Sequence, residues 1–240
     1  MRYDARAGLT LILPLGLAFL LLGVAVAMAS RFETALGTTE DDVELALFPK
    51  SGWVRPLTLG RSELAADYVW LRTIQYYGAH RRTDRQYPYV RSLLTTLTEL
   101  DPHFINAYIF GALVMTEDLG QPLEAVRFLE SGIEKNPESW WLPFEIGVTH
   151  YIHRRDYKAA SPWLARAAEM EGAPESTRRL AAYAAEKGGD ADVATLLWLE
   201  VFAQAEQDEI RRVAYGYLHA LSHPDFLAPN PYETEVEGAS

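Results

Sequence analysis

Three prolines, Pro102, Pro137 and Pro174, stand 35 and then 37 residues apart, each closing a stretch with helical apolar spacing. Proline has no backbone N–H to give a helix and drives the residue before it out of the helical region, so a helix stops there. Between these stops apolar residues recur every three or four positions, and Gly, Pro or Asp interrupts them roughly every fifteen residues, which is the signature of helices in pairs. No stretch alternates with a period of two over a useful length, so no sheet is expected. One short helical hairpin cannot enclose a core alone and gains one only by leaning on its neighbours. The chain is thereby confined to an all-α stack of hairpins.

The spacing sets out the elements in order. Leu64, Tyr68, Leu71, Ile74 and Tyr77 form the apolar stripe of a first helix, followed by a charged loop holding Arg81, Arg82, Asp84 and Arg85, and by a helix over 88–100 that ends at Asp101-Pro102. A second pair spans 104–117 and 122–135, with Pro122 suited to a first helical turn. A third spans 139–153 and 156–170, the latter bent by Pro162, whose ring clashes with the carbonyl one turn back. A fourth spans 175–187 and 191–203, joined by Gly188-Gly189-Asp190, and a last helix covers 206–223. Four hairpins and an end helix thus fill residues 62–223. Residues 31–61 read as a stem, with Thr39 capping a short helix through Phe48 before Pro49, Gly52, Pro56 and Gly60; residues 224–240, with three prolines and several acids, read as a mobile tail.

The N-terminus follows a different rule. From Leu9 to Ala29 there are 21 residues without a charge, and a helix of that length reaches about 30 Å, the hydrocarbon thickness of a bilayer. Arg2 and Arg6 precede the run, while Arg31 after it is accompanied by Glu33, Glu40, Asp41 and Asp42, so the basic count favours a cytoplasmic N-terminus. A cleaved signal peptide competes, because Ala27-Met28-Ala29 has the small-x-small form of a cleavage site. The apolar region exceeds the usual signal core of about 7–15 residues, which favours a retained anchor over 1–30.

Charge and cysteine usage remove several function classes. A net charge of -11 leaves no broad basic surface for phosphates, so nucleic acid is not expected as a partner. The chain has no Cys, which excludes disulfides, thiolate metal sites, a cysteine nucleophile and lipoprotein attachment.

The residues at the repeat spacing carry a family likeness. Trp140-Trp141-Leu142-Pro143-Phe144-Glu145-Ile146-Gly147, then Tyr151, Asp156-Tyr157, Ala160, Leu164 and Ala167, resemble the tetratricopeptide repeat, whose unit is a helical hairpin of roughly 34 residues. Tyr108, Gly111-Ala112, Ala125, Leu129 and Gly132 resemble it one unit earlier, and Ala181-Ala182, Gly189-Asp190, Ala194 and Trp198 one unit later. The likeness covers residues 62–223 and departs from the family pattern through one-residue loop insertions and through Pro162. It implies a tetratricopeptide-like α-solenoid in which the first helix of each hairpin lines a groove for a peptide or partner helix.

No constellation of reactive groups emerges. His150 and His153, three apart, and His219 and His223, four apart, each place two imidazoles on one helix, but no acidic ligand sits at the companion spacing of a zinc motif, so no metal is expected. Gly188-Gly189-Asp190 lacks the lysine and hydroxyl of a phosphate cradle, and no Gly-x-Ser-x-Gly elbow is present. Neither catalysis nor a cofactor is expected. The Arg81, Arg82, Arg85 cluster admits three readings: a solvated loop, a contact for an acidic partner, or a contact for anionic lipid.

Aromatic residues give the functional lead, since they concentrate on the first helices of the hairpins. Trp70, Tyr76, Tyr108, Trp141, Phe144 and Tyr151, with polar Asp67, Gln75, Asn106 and Glu117 among them, are the candidate groove residues. Most large aromatics at helical spacing fill the core, and the remainder anchor a partner. The expected role is a single-pass scaffold of the bacterial inner membrane whose repeat domain lies in the periplasm and recruits or positions a protein. The competing role is a structural accessory subunit that joins a larger membrane complex through its transmembrane helix.

Overall fold

The computed structural model describes residues 60–222, together with Gly23 and Thr58, and among the described residues the protein is helical with no strand. The helices are α1 (Ser62–Arg82), α2 (Val90–Leu100), α3 (Ile105–Leu113), α4 (Pro122–Lys135), α5 (Trp141–Val148), α6 (Tyr157–Ala168), α7 (Glu175–Lys187), α8 (Ala191–Gln204) and α9 (Asp208–Ser222). Apart from Gly23, the uncharged run over 9–29 lies outside the described residues, as do positions 31–57 and 59 of the stem expected over 31–61 and the tail expected over 224–240. Among the described residues no helix is long and apolar enough to cross a membrane.

Local chemistry explains where the helices start and stop. Pro122 occupies the first turn of α4, where its missing N–H costs nothing. Asp156 and Asp190 cap α6 and α8 by accepting hydrogen bonds from the backbone N–H of Ala159 at 3.1 Å and of Val193 at 3.2 Å. Pro162 lies inside α6, and the helix continues through it to Ala168. Arg81 and Arg82, expected in a loop, belong to the last turn of α1.

Two helix ends carry geometry that periodicity does not encode. α3 runs on as a π-helical turn over Val114–Asp118 and α5 as another over Thr149–Arg154. Each inserts extra backbone per turn, and the hydrogen bonds that close them reach further along the chain than usual, as in Leu119 N–H to Val114 O at 3.1 Å and Asp156 N–H to His150 O at 2.9 Å.

Each helix packs on the one before and the one after it, and α3 also touches α5. Small residues permit the close crossings. A Cβ added at Gly147 would lie 2.5 Å from Leu164 Cγ, and one at Gly132 would lie 2.8 Å from the Tyr108 ring. Toward the C-terminal end, Leu164, Ala181, Ala185, Trp198, Val201 and Ala214 belong to one continuous buried cluster drawn from four successive helices.

The first helix corrects the stripe read from the sequence. Leu64, Tyr68, Leu71 and Ile74 are 60, 51, 54 and 41% exposed, whereas α1 buries Ala66, Val69, Thr73, Tyr76 and Tyr77. Of the expected stripe Tyr77 alone faces inward. Thr73 tolerates burial because its hydroxyl donates to Val69 O at 2.7 Å, one turn back.

Candidate interaction surface

The expected groove residues separate into three settings. Tyr76 and Tyr108 are 4% and 3% exposed, so they pack the interior and do not line a surface groove as expected. The Tyr76 hydroxyl accepts from Tyr89 N–H at 3.2 Å and the Tyr108 hydroxyl donates to Pro102 O at 3.3 Å, which satisfies both phenols internally. Asp67 and Gln75 are exposed on α1, and Glu117 is exposed in the π-helical turn after α3, where it pairs with His153 at 3.5 Å. Trp70 is half-buried and packs edge-on against Phe104 and Phe110 at 5.2 and 5.3 Å.

Asn106 and Trp141 are brought together. With His103, Phe104, Ile105, Ser139 and Trp140 they line a cleft of about 510 Å³ between the start of α3 and the start of α5. Trp141 is 40% exposed and stacks on Trp140 at 6.1 Å, while Phe144 meets Trp140 edge-on at 5.7 Å. Such an aromatic wall with an adjacent amide and imidazole offers both apolar area and polar orientation to a bound chain.

Tyr151 belongs to a second face that the sequence reading did not assemble. Its ring packs edge-on against Tyr157 at 5.0 Å, and Lys187 Nζ lies over both rings at 5.3 and 5.4 Å. The Tyr151 hydroxyl and its charge environment hold Lys187 above the ordinary lysine range. On the same helix as Lys187, Tyr183 meets Trp198 at 4.8 Å and Tyr217 at 5.2 Å, and Trp198 stacks flat on Tyr217 at 4.5 Å. Glu186 lies beside this aromatic group, and burial pushes its carboxyl up against the opposing pull of Trp198 and Lys187. Trp198 Nε1 and Glu186 Oε2 are both buried with no hydrogen-bond partner among the described residues. Tyr183, Glu186, Lys187 and Tyr217 went unrecognised as site residues. One signal was available, because Lys187 follows Tyr151 by 36 residues, close to the 35- and 37-residue spacing of the three prolines.

The titratable candidates have internal partners. His150 is buried and sits 2.7 Å from Arg154, with burial and then that guanidinium holding it below the ordinary histidine range. His153 turns instead to Glu117. Arg81 donates to the Tyr77 hydroxyl at 2.6 Å, and that hydroxyl donates to Asp118 at 2.8 Å, with Tyr87 reaching the same carboxylate at 3.4 Å. Tyr77 therefore ties α1 to the π-helical turn after α3, and Arg81 braces its hydroxyl from within α1. Burial, followed by Asp118, pushes the Tyr77 phenol up. Glu145 on α5 is held up by burial alone.

No known protein family matches the chain, and no curated protein matches it.

Proposed function

We propose that this chain is a membrane-anchored interaction scaffold: a tetratricopeptide-like solenoid that binds a peptide or helix of another protein, held in a bacterial inner membrane by residues 9–29. The observation that carries the reading is the cleft of Asn106 and Trp141, where an exposed tryptophan stacked on a second one borders half-buried aromatic surface. Exposed tryptophans set in pockets are the side chains that most often dominate binding energy. The succession of helices, each packed on its neighbours, supports the solenoid. The 21-residue uncharged run supports the anchor.

Photocrosslinking in membranes from a probe at His103, followed by identification of the captured protein, tests the scaffold. Trp141→Ala is expected to lower capture about tenfold, the loss of roughly 1.4 kcal/mol that a peripheral anchor supplies. Capture that survives Trp141→Ala but vanishes on deleting residues 1–30 assigns the chain instead to the role of accessory subunit bound through its membrane helix.

A further inference from the structure

Helix α1 has two apolar faces, and one of them is uncovered. Its buried face is Ala66, Val69, Thr73, Tyr76 and Tyr77. On the opposite side Leu64, Tyr68 and Leu71 are 60, 51 and 54% exposed, and Gln75 is exposed beyond them. These positions advance by four, three and four residues, which is the seam of a coiled coil: Leu64 and Leu71 occupy d positions, Tyr68 and Gln75 occupy a positions. A contiguous exposed apolar seam flanked by charge marks an interaction surface.

Charge selects the cover. In the same register exposed Asp67 falls at a g position and half-buried Arg72, which donates to Gln75 Oε1 at 3.4 Å, at the following e position, one on each flank of the seam. When two copies of α1 lie parallel, g of one helix meets e of the other five residues later, so Asp67 faces Arg72 of the second copy, twice by symmetry. When they lie antiparallel, Asp67 meets Asp67 and Arg72 meets Arg72, which repels. Gln75, polar at an a position, meets its own counterpart in the parallel register, and such a residue fixes register and strand number. A bilayer surface would take the leucines but would have to bring Asp67 and Glu63 to its headgroups beside them.

We infer that α1 pairs in parallel with α1 of a second copy of this chain, along a two-fold axis parallel to the helix. The pairing is separate from the binding reading above, and Trp141→Ala leaves it unchanged.

The chain has no cysteine, so single cysteines report the geometry directly. Full-length Leu64→Cys and Leu71→Cys, oxidised in the membranes of the expressing cell, should each run chiefly as a disulfide-linked dimer, while Asp192→Cys, exposed on α8, stays monomeric. Asp67→Arg added to Leu71→Cys should cut the dimer at least fivefold, and Asp67→Arg with Arg72→Asp should restore it. Circular dichroism of each purified variant confirms retained helix. Absence of dimer at both sites overturns the inference, and so does a dimer indifferent to Asp67→Arg. Crosslinking at one site alone indicates a crossed or antiparallel contact and overturns the parallel register. A monomer in which the thiols introduced by Leu64→Cys and Leu71→Cys resist maleimide seats another segment of the same chain there and likewise overturns it.

Discussion

At Gly147 two opposing effects can be weighed. Alanine is the better helix former by about 1 kcal/mol, so on propensity alone Gly147→Ala would stabilise α5. The added methyl would lie 2.5 Å from Leu164 Cγ and 3.2 Å from the Leu164 backbone nitrogen, and backbone does not yield as a side-chain tip does. Overpacking of a tight core costs about 1–3 kcal/mol, so the crossing of α5 and α6 wins and the variant is expected to lose about 1 kcal/mol net, read as a lower urea midpoint with unchanged slope. Two residues earlier, Glu145 makes a pH-dependent contribution. Burial raises its folded pKa above the unfolded value near 4.5, so the folded state binds the proton more tightly and stability falls as pH rises through that interval. Glu145→Gln removes the charge, and its stability relative to the parent is expected to be positive at pH 7, to shrink as pH falls toward about 4.5, and to level off below it. Urea titrations of both proteins at several pH values check the sign; a difference that grows toward acid refutes it.

At the scale of the element, caps and seams decide. Asp190 holds the start of α8 by accepting a hydrogen bond from Val193 N–H. Asp190→Ala is expected to cost about 1 kcal/mol, with hydrogen exchange accelerating first at the N-terminal turn of α8. These caps were readable in advance, because Asp after Gly-Gly and Asp before Tyr157 mark turns by their chemistry, and α4 and α7 begin and end where Pro122, Asn136, Pro174 and Gly188 place them. α1 was misread for a physical reason. Two sets of residues on it satisfy a helical period, and the set that packs inward, Ala66, Val69 and Thr73, is less hydrophobic than Leu64, Leu71 and Ile74, which face out. Periodicity reports that a face exists, and which of two faces is covered depends on neighbours that no local window contains. The π-helical turns after α3 and α5 were hidden for a related reason, since Val114–Asp118 and Thr149–Arg154 have ordinary helical composition and nothing in a local window marks their lengthened turns. The Tyr183, Glu186, Tyr217 face escaped because its members come from α7 and α9, with Tyr183 and Tyr217 34 residues apart, and meet only once α8 folds between them.

At the scale of the whole molecule, packing that runs from each described helix to its neighbours predicts that stability is a local sum. Trp198 is the test of that property. It is fully buried between Tyr183 of α7 and Tyr217 of α9, and it joins the cluster of Ala181, Ala185, Val201 and Ala214. Trp→Ala in a core costs about 3–5 kcal/mol, which is comparable to the total stability of many domains. In a protein with one shared core that loss would lower protection of every buried amide together. Here Leu93, Leu97 and Tyr108, buried by contacts among α1 to α4, lie outside the cluster that holds Trp198. Hydrogen exchange of Trp198→Ala is therefore expected to show protection lost from about α7 to α9 while α2 to α4 keep theirs, so that the end carrying Glu186 and Lys187 opens and the cleft of Asn106 and Trp141 stays formed. Uniform loss across α2 to α9 would mean that the helices cooperate as a single unit, and serial packing would then no longer account for how this chain divides its stability from its binding surface.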